Sequence, residues 1–356
     1  MEASTKQFLA RLLAAPGPSG FESAAAAVWR EEAETFADQV WGDVHGNSFA
    51  ACGLDGSPRI MLAGHIDEIG LMIHYIDDQG YLYLKAVGGW DPQVLVGQRV
   101  EVLAASGPVI GVVGRRAPHL LEKEDREKAV AMKDLWVDVG VHDVEEVRRQ
   151  VKVGDVAVIR SDTLELGGGC LAARALDDRI GALVALEALR RSAERGTPAH
   201  VVAVATTQEE IGARSGGGAR TSSYGLEPDA AIIVDVTHAT DHPHVDRKEH
   251  GDIRLGAGPV LTRGAVASPA MLRLLVEAAE RAGVSYQMAA APAASGTDAD
   301  QIFTTRAGVA TGLVSIPNRY MHSPSQLVDP VDVEAAATLI AELLHGLSPD
   351  TSFLPD

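Results

Sequence analysis

The stretch Val201-Val-Ala-Val-Ala-Thr-Thr207, followed at once by Gln208-Glu209-Glu210, decides how this chain is read. The run is short, continuous, apolar and rich in β-branched residues, the pattern of a strand buried on both faces of a parallel sheet. Open α/β sheets bind their ligands outside the carboxyl ends of such strands. Two adjacent carboxylates at that edge repel each other, and burial penalises both, so a cation beside them is the expected remedy. One glutamate would then hold a metal ion while the other stays free to move a proton. The plain alternative is a solvated acidic turn, and the rest of the chain decides between the two.

Beyond residue 175 the hydrophobic pattern alternates between helix and strand. Helices are expected over 178–195, 269–282, 298–306 and 330–345, and strands over 201–207, 230–236, 285–290 and 309–315. Upstream, helical spacing over 5–15 stops at Pro16-Gly-Pro18, and Ser19-Gly-Phe-Glu22 has the Ser-x-x-Glu form that opens a helix running to about Phe36. A buried strand over 59–64 ends at His65. Between them the texture changes to short alternating runs over 70–76, 81–87, 99–103, 109–113, 135–139 and 156–160, separated by turn residues. The fold class is therefore α/β, a mostly parallel sheet flanked by helices, with a small β-barrel-like domain inserted. Residues 1–72 and 163–356 would form the α/β domain and 73–162 the insert.

Composition narrows the function. At 356 residues the chain exceeds the size at which a single core keeps growing, and 46% hydrophobic with 22% charged residues is ordinary for a globular protein. The balance of 31 basic against 49 acidic residues, a net of −18, repels phosphate backbones and argues against nucleic acid as a partner. No apolar run approaches the roughly 18 residues of a membrane span. The first residues lack the basic, apolar and small-residue regions of a signal peptide, and Cys52 and Cys170 are too few for a disulfide framework. A cytoplasmic protein is expected. Aromatic residues make up only 4% of the chain, which speaks against a stacking platform for sugars.

Five segments put acidic or imidazole groups at the ends of predicted α/β elements: His65-Ile-Asp67-Glu68, Asp177-Asp178, Glu209-Glu210, Asp235, and His322 within Arg319-Tyr-Met-His-Ser-Pro324. Singly each has an ordinary explanation; Asp177-Asp178, for instance, suits the acidic first turn of a helix. Together they converge on one sheet edge. Mixed histidine and carboxylate ligands suit zinc, cobalt or manganese. The set is too large for one tetrahedral ion and sufficient for two ions sharing a bridge, with a carboxylate left over as general base.

At this point the sequence resembles the TET-type aminopeptidases, dinuclear metallo-enzymes that include glutamyl, leucyl, lysyl and deblocking members. The resemblance lies in His65-Ile-Asp-Glu-Ile-Gly70, Ala175-Leu-Asp-Asp-Arg-Ile-Gly181, Gln208-Glu-Glu-Ile-Gly212, Ile233-Val-Asp-Val236 and Arg319-Tyr-Met-His-Ser-Pro324. It continues in Pro118-His-Leu-Leu121, Leu135-Trp-Val-Asp-Val-Gly140, Gly258-Pro-Val260 and Gly296-Thr-Asp298, in order along nearly the whole chain. It implies the co-catalytic metallopeptidase fold and two divalent ions per subunit, zinc first, with cobalt or manganese also suited. It also implies that His65 and Asp235 hold one ion, that Glu210 and His322 hold the other, and that Asp177 bridges them. Glu209 then matches the general base, Asp67 its supporting aspartate, and Asp178 the first helical residue, pointing away. The resemblance further implies short peptides as substrates, dimerisation through the insert, and a homo-oligomer of dimers closing as a dodecamer.

Three departures from the family pattern bear on substrate preference. Ala213-Arg-Ser-Gly-Gly-Gly-Ala219 is longer and richer in glycine than the usual segment, Asp300 replaces a small residue, and Gln326 stands where an acidic residue is frequent. The histidine-rich segment His238-Ala-Thr-Asp-His-Pro-His244, followed by His250, is expected to be a polar loop, with an extra ion site as the sharper alternative. Rival functions are an amidohydrolase, deacylase or dipeptidase on the same two-metal scaffold, and a peptide-binding assembly protein without catalysis.

Overall fold

The computed structural model describes residues 1–212 and 217–355, so the expected glycine-rich departure at 213–216 lies outside the described residues. The strands are β1 (Gln39–Gly42), β2 (Ser48–Cys52), β3 (Arg59–His65), β4 (Gly70–Ile76), β5 (Leu82–Val87), β6 (Arg99–Ala104), β7 (Gly107–Arg115), β8 (Leu135–Asp138) and β9 (Val156–Ile159). They continue as β10 (Leu164–Glu165), β11 (Leu171–Ala173), β12 (His200–Thr206), β13 (Ala230–His238), β14 (Val260–Gly264), β15 (Gln287–Ala291), β16 (Ala310–Asn318) and β17 (Gln326–Val328). The α-helices are α1 (Ala3–Ala14), α2 (Ser23–Ala33), α3 (Lys123–Arg126), α4 (Val144–Gln150), α5 (Leu176–Arg195), α6 (Gly217–Leu226), α7 (Arg247–His250), α8 (Pro269–Ala282), α9 (Ala299–Ile302) and α10 (Pro330–His345).

An eight-stranded sheet in the order β1-β2-β12-β3-β13-β16-β14-β15 forms the frame. Its middle four strands, β12, β3, β13 and β16, are mutually parallel, and the antiparallel pairs lie outside them. Helices cover both faces. On one side α1, α2, α5, α8 and α10 bury Leu12, Trp29, Ile180, Leu189, Leu275 and Leu343 against Ile60, Leu62, Val201, Ile232 and Val314. On the other side Ala219 of α6 and Ala299 and Ile302 of α9 pack on Met61, Val204, Ile233 and Leu313. The alternation of neighbouring strand residues between the two clusters explains why these strands read as unbroken apolar runs. No helix among the described residues is long and apolar enough to cross a membrane.

Between β3 and β10 the chain forms a closed antiparallel barrel, β4-β5-β8-β7-β6-β9, with its own core of Leu71, Ile73, Leu82, Val100, Val102, Val113 and Val137. Its first strand begins only five residues after His65 leaves the main sheet, so barrel and sheet edge are adjoining. The small sheet β10-β11-β17 then returns the chain to α5.

Two local expectations fail for an identifiable reason. Helix α2 starts at Ser23, behind Glu22, and has no side-chain cap. Ser19 Oγ donates to Asp67 instead, and the Glu22 carboxylate accepts from Gly20 N and Gln208 N; both groups are drawn to the sheet edge rather than to the helix. The helix expected over 298–306 spans only Ala299–Ile302, because the chain turns back at Arg306 with φ of 54°.

A close backbone approach joins β3 to α5. A Cβ on Gly64 would lie 2.4 Å from Ala182 N and from Gly181 C, so only glycine allows the strand carrying His65 to touch the helix that begins with Asp177. Gly64→Ala is expected to destabilise the protein by about 3 kcal/mol or more, because neither backbone can yield. A thermal or denaturant unfolding curve coinciding with that of the parent protein would contradict this.

Candidate active site

The parallel strands β12, β3, β13 and β16 share one direction and register, so their carboxyl ends lie on the same edge, with β13 and β16 running three residues past the level of His65. His65 closes β3, Asp235 is the sixth of the nine residues of β13, Glu209 and Glu210 follow β12, and His322 lies on the loop after β16. Asp177 enters from above at the start of α5, where it and Asp178 leave helical backbone angles and share a cis peptide.

The two imidazoles meet on Asp177. His65 Nε2 lies 3.2 Å from Asp177 Oδ1, and His322 Nε2 lies 3.3 Å from Asp177 Oδ2. The His322 Nε2 atom is also 3.3 Å from Glu210 Oε2, whereas Glu209 Oε2 stands off at 3.8 Å from His65 Nε2. Among the described residues, two groups have donor atoms within 4.8 Å of one another and could hold a metal: His65, Asp177 and Asp235, and then Asp177, Glu210 and His322. Asp177 belongs to both. Glu210 Oε1 is buried with no hydrogen-bond partner, an orphaned acceptor of the kind a cation satisfies.

Asp67 lies behind this set, fully buried. Its Oδ1 accepts from Glu209 N and its Oδ2 from Glu210 N, both at 3.1 Å, and it also accepts from Ser19 Oγ at 2.6 Å. Its Oδ1 is 3.3 Å from His65 Nδ1, so one carboxylate orients both the glutamate turn and an imidazole. Glu68, its neighbour, faces away and is held by Arg174 and by Arg179 Nη2 at 2.9 Å.

Electrostatically the cluster lacks positive charge. Burial, reinforced by Asp235, Asp298 and Glu210 against an opposing His65, pushes the Glu209 carboxyl up to about 10. Burial and Asp177 push Glu210 to about 7, with His322 opposing, and burial drives Asp235 well above the carboxylate range. Hydrogen bonds to Asp177 and Glu210 raise His322 to about 10. His65 is raised too, the pull of Asp177 and Asp67 overcoming its burial. Asp177, despite burial, is lowered by the two imidazoles it serves. Carboxylates driven toward protonation beside imidazoles driven toward the cation describe a pocket built for more positive charge than its side chains supply.

Sequence reasoning missed several supporting groups. Asp178 does not point away: it is fully buried, and its carboxylate accepts from His65 N at 3.1 Å and Gly181 N at 3.0 Å. The Gln326 side-chain oxygen accepts from Asp177 N at 2.7 Å, so this departure from the family pattern sits directly behind the shared aspartate. Asp298 receives Thr206 Oγ1, and Asp300 folds the preceding loop by accepting from Ser295 N and Gly296 N. The sequence marked Asp178, Asp298, Asp300 and Gln326 as parts of motifs or departures from them, but nothing in it assigned them these supporting contacts. The histidine-rich segment contributes to neither metal-competent group among the described residues: the His242 ring packs on Tyr320, and His250 lies beside Glu249.

Asp178→Ala would strand two buried N–H groups, at about 1–3 kcal/mol each. The metal-free variant is therefore expected to lose about 2–6 kcal/mol of stability, and an unchanged denaturation midpoint would show that Asp178 is not a support for the His65 backbone.

The comparisons with known proteins agree with this geometry. The M42 glutamyl aminopeptidase family matches residues 46–339. The lysyl aminopeptidase of Pyrococcus furiosus is 34% identical over 349 residues, covering 96% of this chain and 97% of that protein. A TET aminopeptidase from a marine sediment Thaumarchaeota archaeon superposes with a TM-score of 0.92 at 34% identity, covering 98% of both chains. The Pyrococcus horikoshii TET1 peptidase, which can assemble into a tetrahedron or a large octahedral shell, superposes with a TM-score of 0.84 at 30% identity, covering 96% of this chain and 100% of that one. The shared acidic edge, the barrel between two parts of the sheet domain and these matches lead to one assignment: the chain belongs to the M42 glutamyl aminopeptidase family, metal-dependent hydrolases of peptides.

Proposed function

We infer that this protein removes N-terminal residues from short peptides, using two divalent ions per subunit, zinc in the first instance. The observation that carries the reading is Asp177, whose two oxygens face two different imidazoles and which is common to both donor groups. His65 and Asp235 would hold one ion and Glu210 and His322 the other, with Asp177 between them. The donors are two imidazoles and three carboxylates, a set matched to zinc and also acceptable to cobalt or manganese. Such ions supply Lewis acidity to the scissile carbonyl and acidify the attacking water.

The chain's own groups do the rest. Glu209 is in neither donor group and is the more exposed of the pair, at 17% against 5% for Glu210, so it is free to take a proton from water and return it to the leaving amine. Asp67 fixes the Glu209 and Glu210 amides and orients His65. The acidic edge also favours the positively charged N-terminus of a peptide. The barrel region, residues 73–162, is proposed to mediate dimerisation, and dimers to close into a dodecameric shell as a cytoplasmic enzyme. The tendency of the Pyrococcus horikoshii relative to form closed shells supports this assembly.

Glu209→Gln should lower kcat by at least about 100-fold while metal content stays at the parent level. His322→Ala and Asp235→Ala should instead reduce bound metal, measured by elemental analysis after dialysis. Loss of metal in Glu209→Gln, or full metal and activity in the other two, would overturn the division of roles. Aminoacyl arylamides assayed beside N-acylated amino acids, with zinc, cobalt or manganese returned to stripped protein, test the reaction class; turnover of the acylated compounds alone would reject an aminopeptidase.

A further inference from the structure

His65 and His322 are held very differently. His65 is 2% exposed, ends a central strand, and is gripped by Asp67 and Asp178. His322 is 37% exposed and sits on a loop where Tyr320 and His322 both take left-handed backbone angles, φ of 61° and 57°. A ring on such a loop needs a wall, and the inserted barrel provides one.

The turn leaving β5 reads Gly88-Gly89-Trp90. A Cβ on Gly89 would stand 3.0 Å from His322 Nδ1 and 3.3 Å from its Cε1, so the bare backbone lies beside the Nδ1 side of the ring whose Nε2 faces Asp177 and Glu210. Gly88, with φ of 77°, places its own absent Cβ 2.6 Å from Ile69 Cγ2 and 3.5 Å from Glu210 Cβ. Gly89 is thus kept bare by its contact with His322, and Gly88 by Ile69 and its own backbone angle, with the Glu210 stem in ordinary contact beside it. Trp90 anchors the turn: its ring packs on the barrel core and its Nε1 donates to Gly70 O at 2.8 Å.

We propose that the Gly88-Gly89 turn of the barrel is a positioning element of the active site, a side-chain-free wall that sets the His322 ring and the Glu210 stem in place. The inference rests on His322 being a metal ligand. It makes the barrel part of the catalytic machinery of its own chain, apart from any role in assembly. Neither glycine touches substrate or reacting atoms in this account; both act through His322 and Glu210.

The test is calorimetric titration of zinc into metal-stripped protein, with the melting curve of the stripped protein recorded beside it. Gly89→Ala should weaken binding of one ion about 10-fold, the scale of effect for groups that orient a ligand, and leave the metal-free melting curve unchanged. Gly225→Ala in α6, where a Cβ meets nothing within 4 Å, should leave binding unaltered. Trp90→Phe removes the anchoring hydrogen bond without filling the gap and should weaken the same ion by a smaller factor, which covers the case of a misfolded Gly89→Ala. His322→Ala should weaken that binding event more than Gly89→Ala does, and adding Gly89→Ala to it should cost nothing further. Parent-like affinity in both Gly89→Ala and Trp90→Phe, or a loss that persists undiminished in the His322→Ala background, would overturn the proposal. Unaltered zinc binding in His322→Ala alone would instead reject the ligand assignment beneath it.

Discussion

One aspartate facing two imidazoles is the constraint on which the rest of the site depends. Asp177 offers Oδ1 to His65 and Oδ2 to His322, and those imidazoles belong to opposite sides of the cluster. Asp235, Glu209 and Glu210 are packed around the same point, where burial weighs most against their charged forms and their mutual repulsion adds to it. The chain offsets part of it with backbone donors. Asp67 takes two amides and a hydroxyl, Asp178 takes two amides, and Gln326 fixes the Asp177 amide from behind. What remains is a deficit of positive charge, which the proposed divalent ions would fill, stabilising the cluster as they make it reactive.

The frame bears this load because the site residues grow out of its most rigid part. Four parallel strands bring their carboxyl ends to one edge, and the tight β3–α5 contact at Gly64 brings His65 and the start of α5 within reach of each other. Arg179, fully buried one residue beyond Asp178, ties that helix start to the carbonyls of Leu12 and Ile66 and to Glu68. The N-terminal helix, the loop after β3 and the start of α5 are therefore one unit. Apolar packing holds the strands, and a buried ion pair with its backbone partners holds the turns between them.

Much of this was legible in the sequence, and the legible part has a common cause. Buried strands announce themselves by apolar continuity, which is why the runs around Ile60, Val201, Ile233 and Val314 were found, and the barrel by its short alternating runs. The acidic and imidazole groups were visible because such residues are conspicuous at the end of an apolar run. The failures share a cause as well. Ser19 and Glu22 have the form of a helix start, but their oxygens serve Asp67 and Gln208, more than forty residues away in sequence. Asp178 suits the first turn of a helix, yet it supports the His65 amide. Local pattern assigns a polar side chain to its nearest backbone; long-range closure reassigns it.

The barrel shows how far such closure reaches. Periodicity identifies it as a separate β unit, and its core is indeed separate from that of the sheet. At one turn the separation ends, where Gly88 and Gly89 lie against Ile69, Glu210 and His322. A side chain at Gly89 would press on His322 and one at Gly88 would overlap Ile69, so both glycines answer to residues outside the barrel core. The insert and the sheet domain are two cores, but the imidazole at their junction depends on both, and the functional unit is larger than either.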